Sequence, residues 1–144
     1  MLADPRAKRF ITDFTDAWLD LRNIEFTTPD KALYPEFDNE LQESMLLETR
    51  GFFEEVLSKN LGIRNFLASD FAMLNARLAN HYQIPGVEGV AIRKIKLPQN
   101  SIRGGLLSQS SVLKVSANGT NTSPVVRGVY VLEHPVVEVE AWFP

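Results

Sequence analysis

A mainly α fold, with amphipathic helices packed around one core and a minor irregular β element near residues 88–97, is what this sequence predicts. Three observations carry that expectation. Apolar residues recur at spacings of three and four over residues 4–23 and 39–60, the period of a helix with one buried face. Capping residues and prolines punctuate the ends of those stretches. VAIRKIKL, Val90 to Leu97, is rich in branched residues and alternates in part, and the tail alternates like a strand from Val137. The 144 residues fit one domain or two tightly packed subdomains and can bury a sizeable core.

Residues 4–23, DPRAKRFITDFTDAWLDLRN, read as the first helix. Asp4 can cap it, and Pro5 suits its first position. Ala7, Phe10, Ile11, Phe14, Trp18 and Leu21 form one broad apolar stripe, which reads as core packing. Residues 24–38 are a connector broken by Pro29 and Pro35. Its Phe26, Leu33, Tyr34 and Phe37 predict that it packs along the protein. Residues 39–60 are the strongest helix. Asp38 or Asn39 caps it, and Glu40 and Glu43 sit where the helix dipole favours negative charge. Leu41, Met45, Glu48, Phe52 and Val56 share one face, and Glu55 stands four residues before Lys59 as an ion pair in prospect. Gly62 is the expected terminator. Gly51 is an internal weak point, costing about 1 kcal/mol relative to alanine unless a neighbour needs close approach.

A short helical turn is expected at 63–68. A helix follows over FAMLNARLANHYQI, capped by Ser69 or Asp70, with Phe71, Leu74, Leu78 and His81 or Tyr82 as its stripe, and stopped by Pro85 and Gly86. The alternation within 90–97 slips between Ile92 and Ile95, which predicts a bulge or an irregular edge. LLSQSSVLKV, residues 106–115, fits either a short helix or a strand. Residues 116–123 are a turn cluster, and Ser123 followed by Pro124 is a helix start whose buried face would be Val125, Val126, Val129 and Leu132.

The chemical inventory is sparse. The chain has no cysteine, which excludes disulfides, thiolate nucleophiles, iron–sulfur clusters and covalent c-type haem attachment by its own residues. A net charge of −3 argues against nucleic acid as a partner, and the local basic run Arg93, Lys94 and Lys96 is too small to outweigh it. No apolar run reaches the roughly 18 residues of a membrane span. MLADPRAKRFITDF does not have the pattern of a signal peptide.

The two histidines, His81 and His134, have no zinc-ligand spacing, and His81 beside Tyr82 reads first as a packing contact at a helix end. Glu43, Glu48, Glu54 and Glu55 read first as a solvated helix face. Glu48 stands apart because it lies close to the apolar stripe. Arg103-Gly104-Gly105 lacks P-loop spacing, and Ser108, Ser110 and Ser111 form no G-x-S-x-G elbow. Asn118 and Asn121 match the glycosylation pattern, as turn-rich stretches do by composition. Arg127 falls in the first turns of its helix, where a cation gains nothing from the dipole, so a carboxylate or carbonyl partner is expected. His81, Arg103, Arg127 and Glu48 are the candidate functional residues. No catalytic motif decides whether the chain is an enzyme, and no cofactor or metal motif is present.

The order of segments resembles multi-domain proteins of planctomycete type that carry the domains of unknown function fifteen-ninety-two and fifteen-eighty-eight. The first is typified by DPRAKRFITDFTDAWLDL, YPEFDNELQESMLLETRGFFEEVL and FLASDFAMLNARLANHYQIPGV. The second is typified by IRGGLLSQSSVLKVSANGTNTSPVVRGVYVLE. The resemblance implies a helical domain over 2–97, a short second domain over 98–133 packed on it, and a divergent tail over 134–144. It also implies an exported, periplasmic or extracellular parent protein, often with haem c on a separate upstream cytochrome c domain, and with Met1 an internal methionine of a longer chain. Asp70, Asn75, Arg77, His81, Tyr82, Arg103, Gly104, Gly105, Ser123, Pro124, Arg127 and Gly128 belong to the family's typical segments, and no catalytic role carries over to any of them.

Three functions compete on this evidence. The first is a structural or interaction module that meets upstream and downstream domains, or another copy of itself, through apolar faces. The second is part of a degradative active site shared with other segments, using Arg103 and Arg127 to hold an anion and His81 or Glu48 to move protons. The third is a carbohydrate-binding module presenting Trp142 or Tyr34.

Overall fold

The computed structural model describes residues 4–134. The strand expected from Val137, and Trp142, lie outside the described residues. Among the described residues the chain is mainly α, with helices α1 (Arg6–Trp18), α2 (Asn39–Ser58), α3 (Ala76–His81), α4 (Ser110–Val115) and α5 (Pro124–Glu133). Strands β1 (Phe71–Leu74) and β2 (Arg93–Lys96) pair antiparallel, with Phe71 opposite Lys96 and Leu74 opposite Arg93.

Helix α2 is the spine. Asp38 caps it by accepting the Leu41 N–H at 2.7 Å. Its predicted face is the observed one: Leu41, Met45, Glu48, Phe52 and Val56 are all buried. Leu41 and Met45 pack with Ala72, Leu74, Leu78, Ala79 and Leu97. Two turns on, Phe52 and Val56 pack with Leu19, Leu21, Phe71, Leu106, Val112 and Tyr130. Between the two clusters the same face carries a polar belt. Thr49 bonds Gln109 at 2.7 Å and Ser111 at 2.5 Å, and Glu48 lies beside it. Arg50 forks onto both oxygens of Asp16 at 2.9 and 2.7 Å, tying α1 to α2.

The structure corrects several expectations. Pro5, not Asp4, occupies the cap position of α1, and Asp4 turns its carboxylate onto Arg6. The α1 stripe is half solvated: Ile11 is buried, while Phe10 and Phe14 are exposed. The rings still pack, because Phe10, Phe14 and Trp18 stack along the helix at 5.6 and 5.8 Å and lean on Phe53 and Phe66. Of the apolar residues of the 24–38 connector, Ile24 is buried and Phe37 packs against the core, while Phe26, Leu33 and Tyr34 are exposed. Asn60, left-handed at φ 50, ends α2 in place of Gly62. Glu55 pairs with Lys94 of β2 at 3.1 Å rather than with Lys59.

The helix expected over 71–84 is split. FAML satisfies either period, and its pairing with β2 decides for strand. Asn75 then caps the short α3 through the Leu78 N–H at 2.9 Å. Left-handed Gln83 ends the segment ahead of Pro85. LLSQSSVLKV resolves into a 3₁₀ turn, Leu106–Ser108, and α4.

Helix α5 starts where Ser123 and Pro124 predicted, with the Ser123 hydroxyl accepting the Val126 N–H at 3.4 Å. Its orientation is opposite to expectation. Arg127, Tyr130 and His134 share the inner side, and the valines face out. Tyr130 carries the docking: its ring is buried and its hydroxyl donates to the Leu19 carbonyl at 2.7 Å. An amphipathic ring with a satisfied hydroxyl outcompetes the smaller valines for the contact.

Candidate functional site

The site begins at Arg103. Gly104 and Gly105 follow it at φ 153 and 84, and a Cβ on either would stand 2.5 Å from the carbonyl of Ser69 or Leu67. The glycines therefore serve a close backbone crossing, not a phosphate loop. That crossing fixes Arg103, whose guanidinium donates to the Ser108 carbonyl at 2.6 Å and lies 4.1 Å above the Tyr82 ring. Tyr82 is itself fixed. Its hydroxyl donates to Glu48 at 2.6 Å and accepts the Ser110 N–H at 2.9 Å.

Glu48 is 1% exposed. Burial pushes its carboxyl up to about 8, against the smaller opposing effects of the Tyr82 hydrogen bond and the Arg103 charge. At neutral pH Glu48 is therefore mostly protonated and leaves the charge of Arg103 uncompensated. Burial, with Glu48 nearby, also raises the Tyr82 phenol.

Beside Arg103 opens a pocket of about 310 Å³. Its wall includes His81 from the end of α3, Lys114 from α4, Arg127 from α5, and Tyr34, Glu36 and Phe37 from the connector. His81 faces Glu36 at 3.9 Å, and burial followed by the Arg103 charge lowers its pKa. Lys114 donates to the carbonyls of Ile24 and Thr27, and burial lowers its pKa. Arg127 finds the carbonyl partner expected for it, Leu113, with Ser116 and Thr122 beside it. All three contacts measure 3.4 Å, at the outer edge of hydrogen bonding.

Three of the four sequence candidates, His81, Arg103 and Arg127, thus line one pocket. Glu48 does not line it and sits behind Tyr82 and Arg103. Sequence reasoning missed Lys114 as a wall residue and Tyr82 as the hinge between Glu48 and Arg103. A lysine inside the otherwise uncharged SSVLKV was the available signal for the first; the second had none. Other typical positions are architectural: Asn75 bonds Ser44 and caps α3, and Arg77 joins α3 to Asp38 and the Glu36 carbonyl. Asn118 closes its turn onto Thr120 and Asn121. Among the described residues no group of acids and histidines is placed to hold a metal, and no helix is long and apolar enough to cross a membrane.

The fold and site define a mainly α module with one small antiparallel sheet and a cationic pocket. Residues 1–84 match the family model PSD4, protein of unknown function (DUF1592), and the chain belongs to that family. No curated protein and no solved structure matches the chain. The family match ends between the pocket's walls: His81 lies inside it, and Arg103, Lys114 and Arg127 lie beyond it.

Proposed function

We propose that the chain is a helical interaction module of a larger protein, and that it docks onto a neighbouring domain through the outer face of α5. The observation that carries this reading is the exposure of Val125, Val126, Val129 and Leu132, at 75, 54, 46 and 82%, along one side of a single helix. Scattered apolar residues need no explanation, whereas a contiguous face marks a contact. The face continues into a groove of about 400 Å³ whose apolar wall is Val126, Val115, Ala117 and Phe26, with Asp20, Asn23 and Asn118 among its polar lining, and Phe26 is itself largely exposed. Such a groove accepts an apolar side chain from a partner.

The neighbour we favour is another domain of the parent polypeptide. The resemblance to exported proteins with a cytochrome c domain and further flanking domains supports this, and it makes a haem-bearing domain one such neighbour. The residues now packed over 98–133 would be the second family domain of that arrangement.

A second reading, a degradative active site shared with other segments, is favoured by the convergence of His81, Arg103 and Arg127. It is weakened by the withdrawal of Glu48 from the pocket, which leaves Glu36, already facing His81 at 3.9 Å, as the carboxylate of its wall. Sedimentation velocity and hydrophobic-dye binding test the docking face. The chain alone is expected to bind dye and to self-associate at high concentration. A Val125→Ser/Val129→Ser/Leu132→Ser variant is expected to lose both with an unchanged circular-dichroism spectrum. A monomeric wild type that binds no dye would sink the proposal.

A further inference from the structure

We infer that the cationic pocket binds a small carboxylate-bearing molecule with a compact apolar or ring-shaped body, its carboxylate held between Arg103 and Arg127. The argument starts from charge. Arg6, Arg9, Arg50, Arg77 and Lys94 each stand within 4.0 Å of a carboxylate. Among the described residues Arg103, Lys114 and Arg127 have no such partner, although all three are withdrawn from solvent and line one cavity. Exposed cations are neutralised by water and salt; cations facing a concave, partly apolar space concentrate their field and attract an anion. In a chain with net charge −3 this is a local reversal of sign.

The two arginines are available in different ways. Arg103 is held by the Tyr82 ring and the Ser108 carbonyl, which occupies Nη1 and leaves the other donors of its fork for a ligand. Tyr82 is in turn locked by Glu48 and Ser110, so the donor is preorganised. Arg127 is held only by contacts of 3.4 Å, and a carboxylate offers it shorter, charge-assisted bonds. Lys114 adds charge, but two of its three protons are committed to the connector carbonyls, so it supports the site more than it grips the ligand.

The rest of the wall defines the body of the ligand. Phe37, Leu41, Met45 and Leu113 give the pocket an apolar side. At about 310 Å³ it stands at the small end of the range for organic ligands, roughly 300–1,000 Å³. A bare phosphate or sulfate would satisfy the arginines and leave that apolar side unused. Glu36, beside His81, disfavours a second negative group at that end.

The test is calorimetric or ligand-observed NMR titration of the folded chain with benzoate, D-glucuronate, D-glucose and inorganic phosphate at fixed ionic strength. Saturable binding of at least one of the two acids is expected, and comparison of the two separates a flat apolar body from a sugar ring. Arg103→Gln and Arg127→Gln are each expected to weaken that binding at least tenfold with unchanged circular dichroism. If a Gln variant does not fold, the corresponding Lys variant, which keeps the charge and loses the planar fork, should still weaken binding severalfold. The inference is overturned if neither acid binds saturably, if glucose or phosphate binds as tightly as the acids, or if the arginine variants bind like wild type.

Discussion

Glu48→Gln isolates the one buried carboxyl in the polar belt. The folded protein holds the Glu48 proton up to about pH 8, while an unperturbed glutamate releases it near 4.5. Below pH 4.5 both states are protonated and the group costs nothing. Between 4.5 and about 8 the unfolded chain gives up a proton that the folded chain keeps, so stability falls as pH rises. Above about 8 both states are ionised and the full penalty applies. At about 1.4 kcal/mol per pH unit, moving from pH 5 to pH 7 costs the wild type on the order of 2 to 3 kcal/mol through this group alone. That is a large share of the roughly 5–15 kcal/mol of a typical domain.

Glutamine keeps an oxygen for the Tyr82 hydroxyl and cannot ionise. Urea unfolding of both proteins at pH 5 and pH 7 measures the effect as a difference of differences. Subtraction removes His81, whose lowered pKa works in the opposite direction. The variant is expected to gain about 2 to 3 kcal/mol on wild type between the two pH values. A gap that stays constant with pH would refute the assignment of Glu48 as a buried neutral acid.

Three further substitutions probe the scaffold by thermal or urea unfolding. Thr15→Val should stabilise by about 1 kcal/mol, because the Thr15 hydroxyl is buried without a hydrogen-bond partner and valine keeps its shape. Gly51→Ala should stabilise by up to about 1 kcal/mol. Its Cβ would meet Ile92 and Met73 at 3.5 and 3.6 Å, an ordinary contact, so the helical gain is not offset by a clash. Gly105→Ala should destabilise by at least about 2 kcal/mol, since its Cβ would stand 2.5 Å from the rigid Leu67 carbonyl at a positive φ. Loss of the native position of Arg103 should accompany it.

What the sequence disclosed followed from local rules. The α2 face, its Asp38 cap and the Ser123–Pro124 start of α5 are set by residues within one or two turns of each other, and all appear as read. FAML differs from the expected helix because four apolar residues fit either period, and only the distant 93–96 partner chooses. The α5 face differs from expectation for a related reason. Counting apolar residues favours the valines, but the decisive contact is one tyrosine hydroxyl meeting a carbonyl 111 positions away. The candidate site was half visible. His81, Arg103 and Arg127 are legible as candidates, yet their convergence depends on a glycine crossing and on α5 turning its arginine inward. Glu48 stood out as a charge on an apolar face, and its burial makes it a support for Tyr82 instead of a wall of the pocket.

The orientation of α5 governs both the exposed docking face and the entry of Arg127 into the pocket. Methyl and aromatic NMR with a soluble paramagnetic agent reads it directly. The account predicts strong relaxation of the Val125, Val126 and Val129 methyls and protection of the Tyr130 ring. Protected valines with an exposed Tyr130 would contradict it, removing the docking face and taking Arg127 out of the pocket.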